Sequence, residues 1–292
     1  MYGFMALFSG LITAVMVVVN GELTGAYGVY TATVLIHVAG LMLIGLIVLT
    51  KREKPFAVRA KLVNYAGGLL GVLTSSFTNI AYGGISVSAI LALTLLGQCV
   101  AGLCFDQWGL VGIPVRRFQK NKLLGLLLVV AGIACMLDSF SFIPVLLSFL
   151  SGAILVLSRS LNMRLVQETS ANVSTFFNYV TGLAGSLFML LVVGRGEVGL
   201  SNGLTDPRFF IYTGGLIGVV VVGIANRIVG KISTFYMTLF MFVGQVFMGV
   251  AIDALITGGF SAGNVLGGVL VSLGLAINLI LDYRHTDKSR TV

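Results

Sequence analysis

Between residues 62 and 105 the chain carries no Asp, Glu, Lys or Arg. That stretch is far longer than the roughly 20 apolar residues with which one helix crosses a bilayer, and it contains a Gly83-Gly84 pair at which it can turn back. In hydrocarbon each backbone amide must be satisfied inside its own element. The stretch therefore dictates two membrane-spanning helices joined by a tight turn. The remainder obeys the same rule: 57% of residues are apolar and 10% charged, against about 25% charged in soluble domains. Too little charge is present to coat a globule, and lipid must solvate much of the surface.

Uncharged runs and their breaks predict ten spans, at residues 2–19, 30–49, 62–82, 87–105, 123–137, 142–157, 173–193, 209–225, 233–252 and 265–281. With ten spans both termini share one side. That side receives every one of the 18 basic residues except Arg195 and Arg208, and the positive-inside rule makes it the cytoplasm. The net charge of +8 thus records topology, and nucleic acid is not expected as a partner. Cys99, Cys104 and Cys135 lie in apolar runs without ligand spacing and read as packing residues, with no metal or cofactor expected. The first apolar segment lacks the basic start and cleavage site of a signal peptide.

The chain also resembles itself. Tyr65-Ala-Gly-Gly-Leu-Leu-Gly-Val72 matches Tyr212-Thr-Gly-Gly-Leu-Ile-Gly-Val219, and the same offset pairs Asn79 with Asn226, Gly97-Gln98 with Gly244-Gln245, and Asp106 with Asp253. A slightly shorter offset pairs Asn20 with Asn162, Gly40 with Gly182, Gly125 with Gly267 and Gly132 with Gly274. Two five-helix repeats are expected, at residues 1–140 and 141–292. Five is odd, so the second copy enters the membrane from the opposite side. Glu22 against Arg164 and Gly84 against Lys231 are the charge changes such an inversion requires. Inverted repeats mark many secondary transporters, with the solute near the midplane between the halves.

The Asn20-Gly-Glu-Leu23 stretch, Gly67-Gly68-x-x-Gly71, Gly97-Gln98 and Leu124-Gly125 through Gly132 resemble the YdcZ-like branch of the drug/metabolite transporter superfamily. The resemblance implies an all-α fold of ten transmembrane helices in two inverted repeats. It further implies alternating access in a bacterial cytoplasmic membrane, with both termini inside. The expected partners are a small-molecule solute and the lipid bilayer, with a homodimer compatible with both.

Candidate solute contacts are the paired amides Gln98 and Gln245, with Thr94 and Thr238 one or two turns away on the same faces. Further candidates are Asn79, Asn226, Asn20, Asn162 and Asn178. Polar side chains in spans also serve as interhelical glue, so each has a structural reading beside the functional one. For gating or proton coupling the candidates are His37, which titrates near neutral pH in its free form, and Glu22, Asp106 and Asp253 at the edges of the apolar layer. Arg159 and Arg227 read as topological charges closing helices six and eight, and either could pair with Asp106. No carboxylate lies mid-span, which argues against a copy of proton-coupled cation export, although cationic solutes stay within the expected range. No P-loop, HExxH or serine–histidine–carboxylate set is present. The expectation is a secondary transporter of a small metabolite or drug-like solute and not an enzyme. The rival readings are a channel, a lipid or lipid-linked flippase, or a non-transporting membrane subunit.

Overall fold

The computed structural model describes the chain except residues 58, 109–121, 138–140, 196–204, 229, 230, 232, 233 and 289–292; within helices, the side chains of 106, 122, 234–236, 238, 239, 279 and 282–288 also fall outside the description. Ten α-helices follow one another: α1 (Tyr2–Tyr27), α2 (Val29–Thr50), α3 (Gly67–Ala81), α4 (Val87–Trp108), α5 (Lys122–Met136), α6 (Phe142–Glu168), α7 (Ala171–Val192), α8 (Gly214–Ile228), α9 (Thr234–Thr257) and α10 (Ala262–Lys288). Among the described residues, seven segments are long and apolar enough to cross a membrane, and those of α5 and α10 are shorter. At 15 residues α3 rises only about 22 Å. A 3-10 turn, Leu62–Ala66, lengthens it.

Two of the described connections are tight, the first far shorter than the ten-residue gap expected from sequence. Gly28 (φ 85°) alone separates α1 from α2, and Gly83 (φ 81°) makes the turn from α3 to α4; both conformations are open to glycine at little steric penalty. Phe4, Leu127 and Leu191 are 72%, 65% and 68% exposed, an apolar exterior of the kind that lipid covers. Leu95, Val129, Met136, Phe242, Val246 and Leu275 form the largest apolar core, between α4, α5, α9 and α10.

Two helices run further than the charge pattern predicts. α1 continues through Asn20 and Glu22 to Tyr27, beyond the expected end at residue 19. α6 continues past residue 157 to Glu168 and carries Arg159, Asn162 and Arg164. The physical reason is that a polar side chain ends a span only when water is its best partner. Here other helices supply partners, as the site below shows.

The long contacts join helices distant in sequence. α1 packs on α9, α4 on α6, α3 on α6 and α7, α8 on α1 and α2, α2 on α7, and α5 on α10. Glycine permits the closest of these. A Cβ on Gly10 would stand 1.9 Å from the Met241 carbonyl oxygen and one on Gly244 2.4 Å from that of Leu7. On α4 and α6, a Cβ on Gly97 would stand 1.9 Å from the Phe149 carbonyl oxygen and one on Gly152 1.8 Å from that of Thr94. No larger residue fits at such backbone approaches, the usual basis of small-residue helix contacts in membranes.

Candidate functional site

Gln98 and Gln245 occupy the middles of α4 and α9. Both line one small cavity of about 10 Å³, together with Leu95, Arg159, Met241 and Phe242. This is room for about one water molecule. The Gln98 amide donates to the Thr94 carbonyl oxygen at 3.4 Å, one turn earlier, and its oxygen accepts from Arg159 Nη1 at 2.8 Å. Gln245 is 7% exposed, and its amide has no hydrogen-bond partner among the described residues. Thr94 turns its hydroxyl to Ser151 of α6 at 3.2 Å. The side chain of Thr238 lies outside the described residues.

Arg159 overturns its sequence reading. It does not close the end of a helix but reaches inward from the face of α6 that carries Ser148, Gly152 and Asn162. That stripe of small and polar residues, continuing past the apolar run, was the signal available in the sequence. Arg227 is no free terminal charge either: its Nη2 donates to the Asn172 side-chain oxygen at 2.8 Å.

At one end of the bundle Glu22 accepts from Arg208 Nη1 at 2.7 Å and from the Tyr82 hydroxyl at 3.0 Å. Arg208 also pairs with Asp206 at 2.8 Å. The hydrogen bonds from Arg208 hold the Asp206 carboxyl below its ordinary value of 3.8, and those carboxylates raise the guanidinium in turn. The hydroxyls of Tyr27 and Tyr212 meet beside this group. At the opposite end the Glu53 carboxylate takes the Ser170 hydroxyl at 2.6 Å and the Asn172 amide, linking the end of α2 to α7 and, through Arg227, to α8. A cavity of about 120 Å³ opens there, lined by Leu43, Ile44, Ile47, Asn172, Val219 and Arg227 among others. Glu53, Asn172, Asp206 and Arg208 were not candidates from sequence, since each makes sense only with its partner in view.

The remaining candidates sit at helix crossings, apart from the central cavity. Asn162 donates to the Asn178 side-chain oxygen at 2.9 Å and lies against Gly67, while Asn20 lies against Gly214. Asn226 donates to the Thr175 hydroxyl at 3.0 Å. Asn79 is buried with its amide nitrogen unpartnered. His37 is 4% exposed and its Nδ1 lies 2.7 Å from the Thr33 carbonyl oxygen, so Nδ1 carries the hydrogen. Its ring fills the space over Gly182, as that of Tyr179 does over Gly40.

Asp253 is not a solvated mouth residue. It is 6% exposed and accepts the backbone N–H groups of Val87 and Ser88 at 2.8 and 2.9 Å. It thereby satisfies two of the orphan donors at the start of α4 and places a negative charge at that helix's positive end. The side chain of Asp106 lies outside the described residues.

The family model described as "Putative inner membrane exporter, YdcZ" matches residues 1–135 and again residues 143–277. The chain belongs to the YdcZ family. This YdcZ-family chain is accordingly a multi-pass inner-membrane protein of a transport family. A crystal structure described only as that of a protein shares 16% sequence identity with it, over 97% of this chain and 96% of the other, with a TM-score of 0.65. That likeness is one of fold. No curated protein matches the YdcZ-family chain.

Proposed function

We propose that this YdcZ-family protein moves a small solute across the inner membrane by alternating access, with the solute held between Gln98 and Gln245. The halves are residues 1–140 and 141–292, inverted with respect to each other, and both termini are cytoplasmic. The observation that carries the reading is that the two glutamines, equivalent in the repeats, reach one cavity from different halves.

Two further facts support it. The family matches the chain twice, once in each half. The glycine contacts exchange under the repeat: Gly10 corresponds to Gly152 and Gly244 to Gly97, and each pair marks a helix crossing of the same kind. A central cavity of about 10 Å³ suits a closed resting conformation. The Glu22–Arg208 group and the Glu53–Asn172–Arg227 group are then the gates at its two ends, and the other asparagines, His37 and Asp253 are framework.

The test begins by finding a stabilising solute among metabolites and amines, since a ligand stabilises the state it occupies. Its counterflow into proteoliposomes is then measured. Gln98→Leu/Gln245→Leu should abolish counterflow with reconstitution unchanged; normal counterflow refutes the site. A reporter fused after Val292 should read cytoplasmic.

A further inference from the structure

Arg159 presents a guanidinium to the central cavity, and among the described side chains of α4, α6 and α9 no acid pairs with it. α4, α6 and α9 hold three acidic residues in all: Asp106, Glu168 and Asp253. Asp253 is occupied at the start of α4, eight residues beyond Gln245. Glu168 accepts the Asn64 amide at 3.1 Å, nine residues or about 14 Å of helix beyond Arg159. The side chain of Asp106, on α4, lies outside the described residues. Among the described residues Arg159 has one acceptor, the neutral Gln98 oxygen at 2.8 Å.

A guanidinium carries five N–H donors in a planar fork and cannot shed its charge. Ionisable groups inside a membrane domain are retained where they meet a counter-charge or mark a substrate path. Across the same cavity lies the buried Gln245 amide, a second polar group at the same space with no hydrogen bond among the described residues. One cation, two amides and an apolar wall of Leu95, Met241 and Phe242 match an organic anion: an acidic group for the fork and a carbon skeleton for the wall.

We propose that the solute carries a carboxylate or phosphate, which docks on Arg159 with Gln98 and Gln245 flanking it. This rests on the midplane reading above and narrows its small solute to an anion. Bidentate pairing of a guanidinium with a carboxylate or phosphate is the geometry for which arginine, and not lysine, is suited. Binding requires the helices to part, because a space of about 10 Å³ admits no such solute.

The experiment uses full-length protein in detergent at constant ionic strength. Acetate, benzoate, citrate, inorganic phosphate and glycerol 3-phosphate are compared with choline and tetraethylammonium by thermal unfolding. At least one anion should raise the midpoint of the unaltered protein, and its apparent Kd should rise about tenfold or more in Arg159→Gln, less in Arg159→Lys. No stabilisation by any anion, stabilisation by a cation alone, or an anion effect unchanged in Arg159→Gln overturns the proposal. If Arg159→Gln does not fold, Arg159→Lys decides: weaker binding supports the proposal and unchanged affinity overturns it. Counterflow of the labelled anion in proteoliposomes separates the two readings. Arg159-dependent binding without counterflow removes transport and leaves the anion site. Counterflow of a solute indifferent to Arg159→Gln removes the anion site and leaves transport.

Discussion

The guanidinium of Arg159 donates to the side-chain oxygen of Gln98, 2.8 Å away in the centre of the bundle. Its repeat counterpart Gln245 lines the same cavity with no hydrogen bond among the described residues. The two glutamines therefore differ in what they do for stability while sharing a cavity. Gln98→Leu should destabilise the protein by about 2 kcal/mol, the usual loss for a hydrogen bond to a charged group. Gln245→Leu should be neutral or stabilising. Thermal unfolding of the two single variants checks the asymmetry, and counterflow should fall in both.

Asp253 ties α9 to the start of α4 through two backbone N–H groups. Removal of such a cap typically costs about 1–2 kcal/mol. Asp253→Ala should lower the unfolding midpoint accordingly, and Asp253→Asn should fall between, since an amide has one acceptor oxygen where the carboxylate has two. Loss of counterflow in Asp253→Asn at an unchanged midpoint would instead make the residue a gate.

The Asp206–Arg208 pair gives a pH signature. The Asp206 carboxyl is depressed below 3.8 by Arg208. A group depressed on folding stabilises above its unfolded pKa and loses that contribution as pH falls through the folded one. The difference in unfolding midpoint between the protein and Asp206→Asn should be constant through neutral pH and shrink only as pH falls below about 4. A difference that grows in acid would contradict the pairing.

Gly97 and Gly71 separate packing from flexibility. A Cβ on Gly97 meets the Phe149 carbonyl, while one on Gly71 meets nothing within 4 Å. Gly97→Ala must push α4 from α6 and should lose about 1–3 kcal/mol or more. Gly71→Ala, in a helix interior, should be neutral or gain up to about 1 kcal/mol. Equal effects in thermal unfolding would refute the close crossing.

Hydropathy and charge were enough to read the ten helices, the Gly83-Gly84 turn and the membrane setting, because a bilayer imposes length and polarity on each segment separately. The glycines at Gly67-Gly68 and Gly214-Gly215 were readable as packing residues, though not which helix they approach. What failed was the rule that a charge ends a span. Arg159 and Glu22 continue their helices because Gln98, Tyr82 and Arg208 receive them, and those partners come from elsewhere in the chain. Asp253 was misjudged for the same reason, since its ligands are backbone groups that no side-chain pattern announces. Gln98 and Gln245 were legible as a mid-span pair through the repeat, and the structure brings both to one cavity.

The pairing of α5 with α10 bears on how the chain is made. A Cβ on Gly125 or Gly274 would strike the backbone of the other, and Gly132 and Gly267 stand in the same relation, so each of these helices is shaped to the other's surface. α5 leaves the ribosome long before α10 exists. During synthesis it must wait beside lipid with its glycine groove unfilled, and the bundle is sealed only when the last helix is inserted.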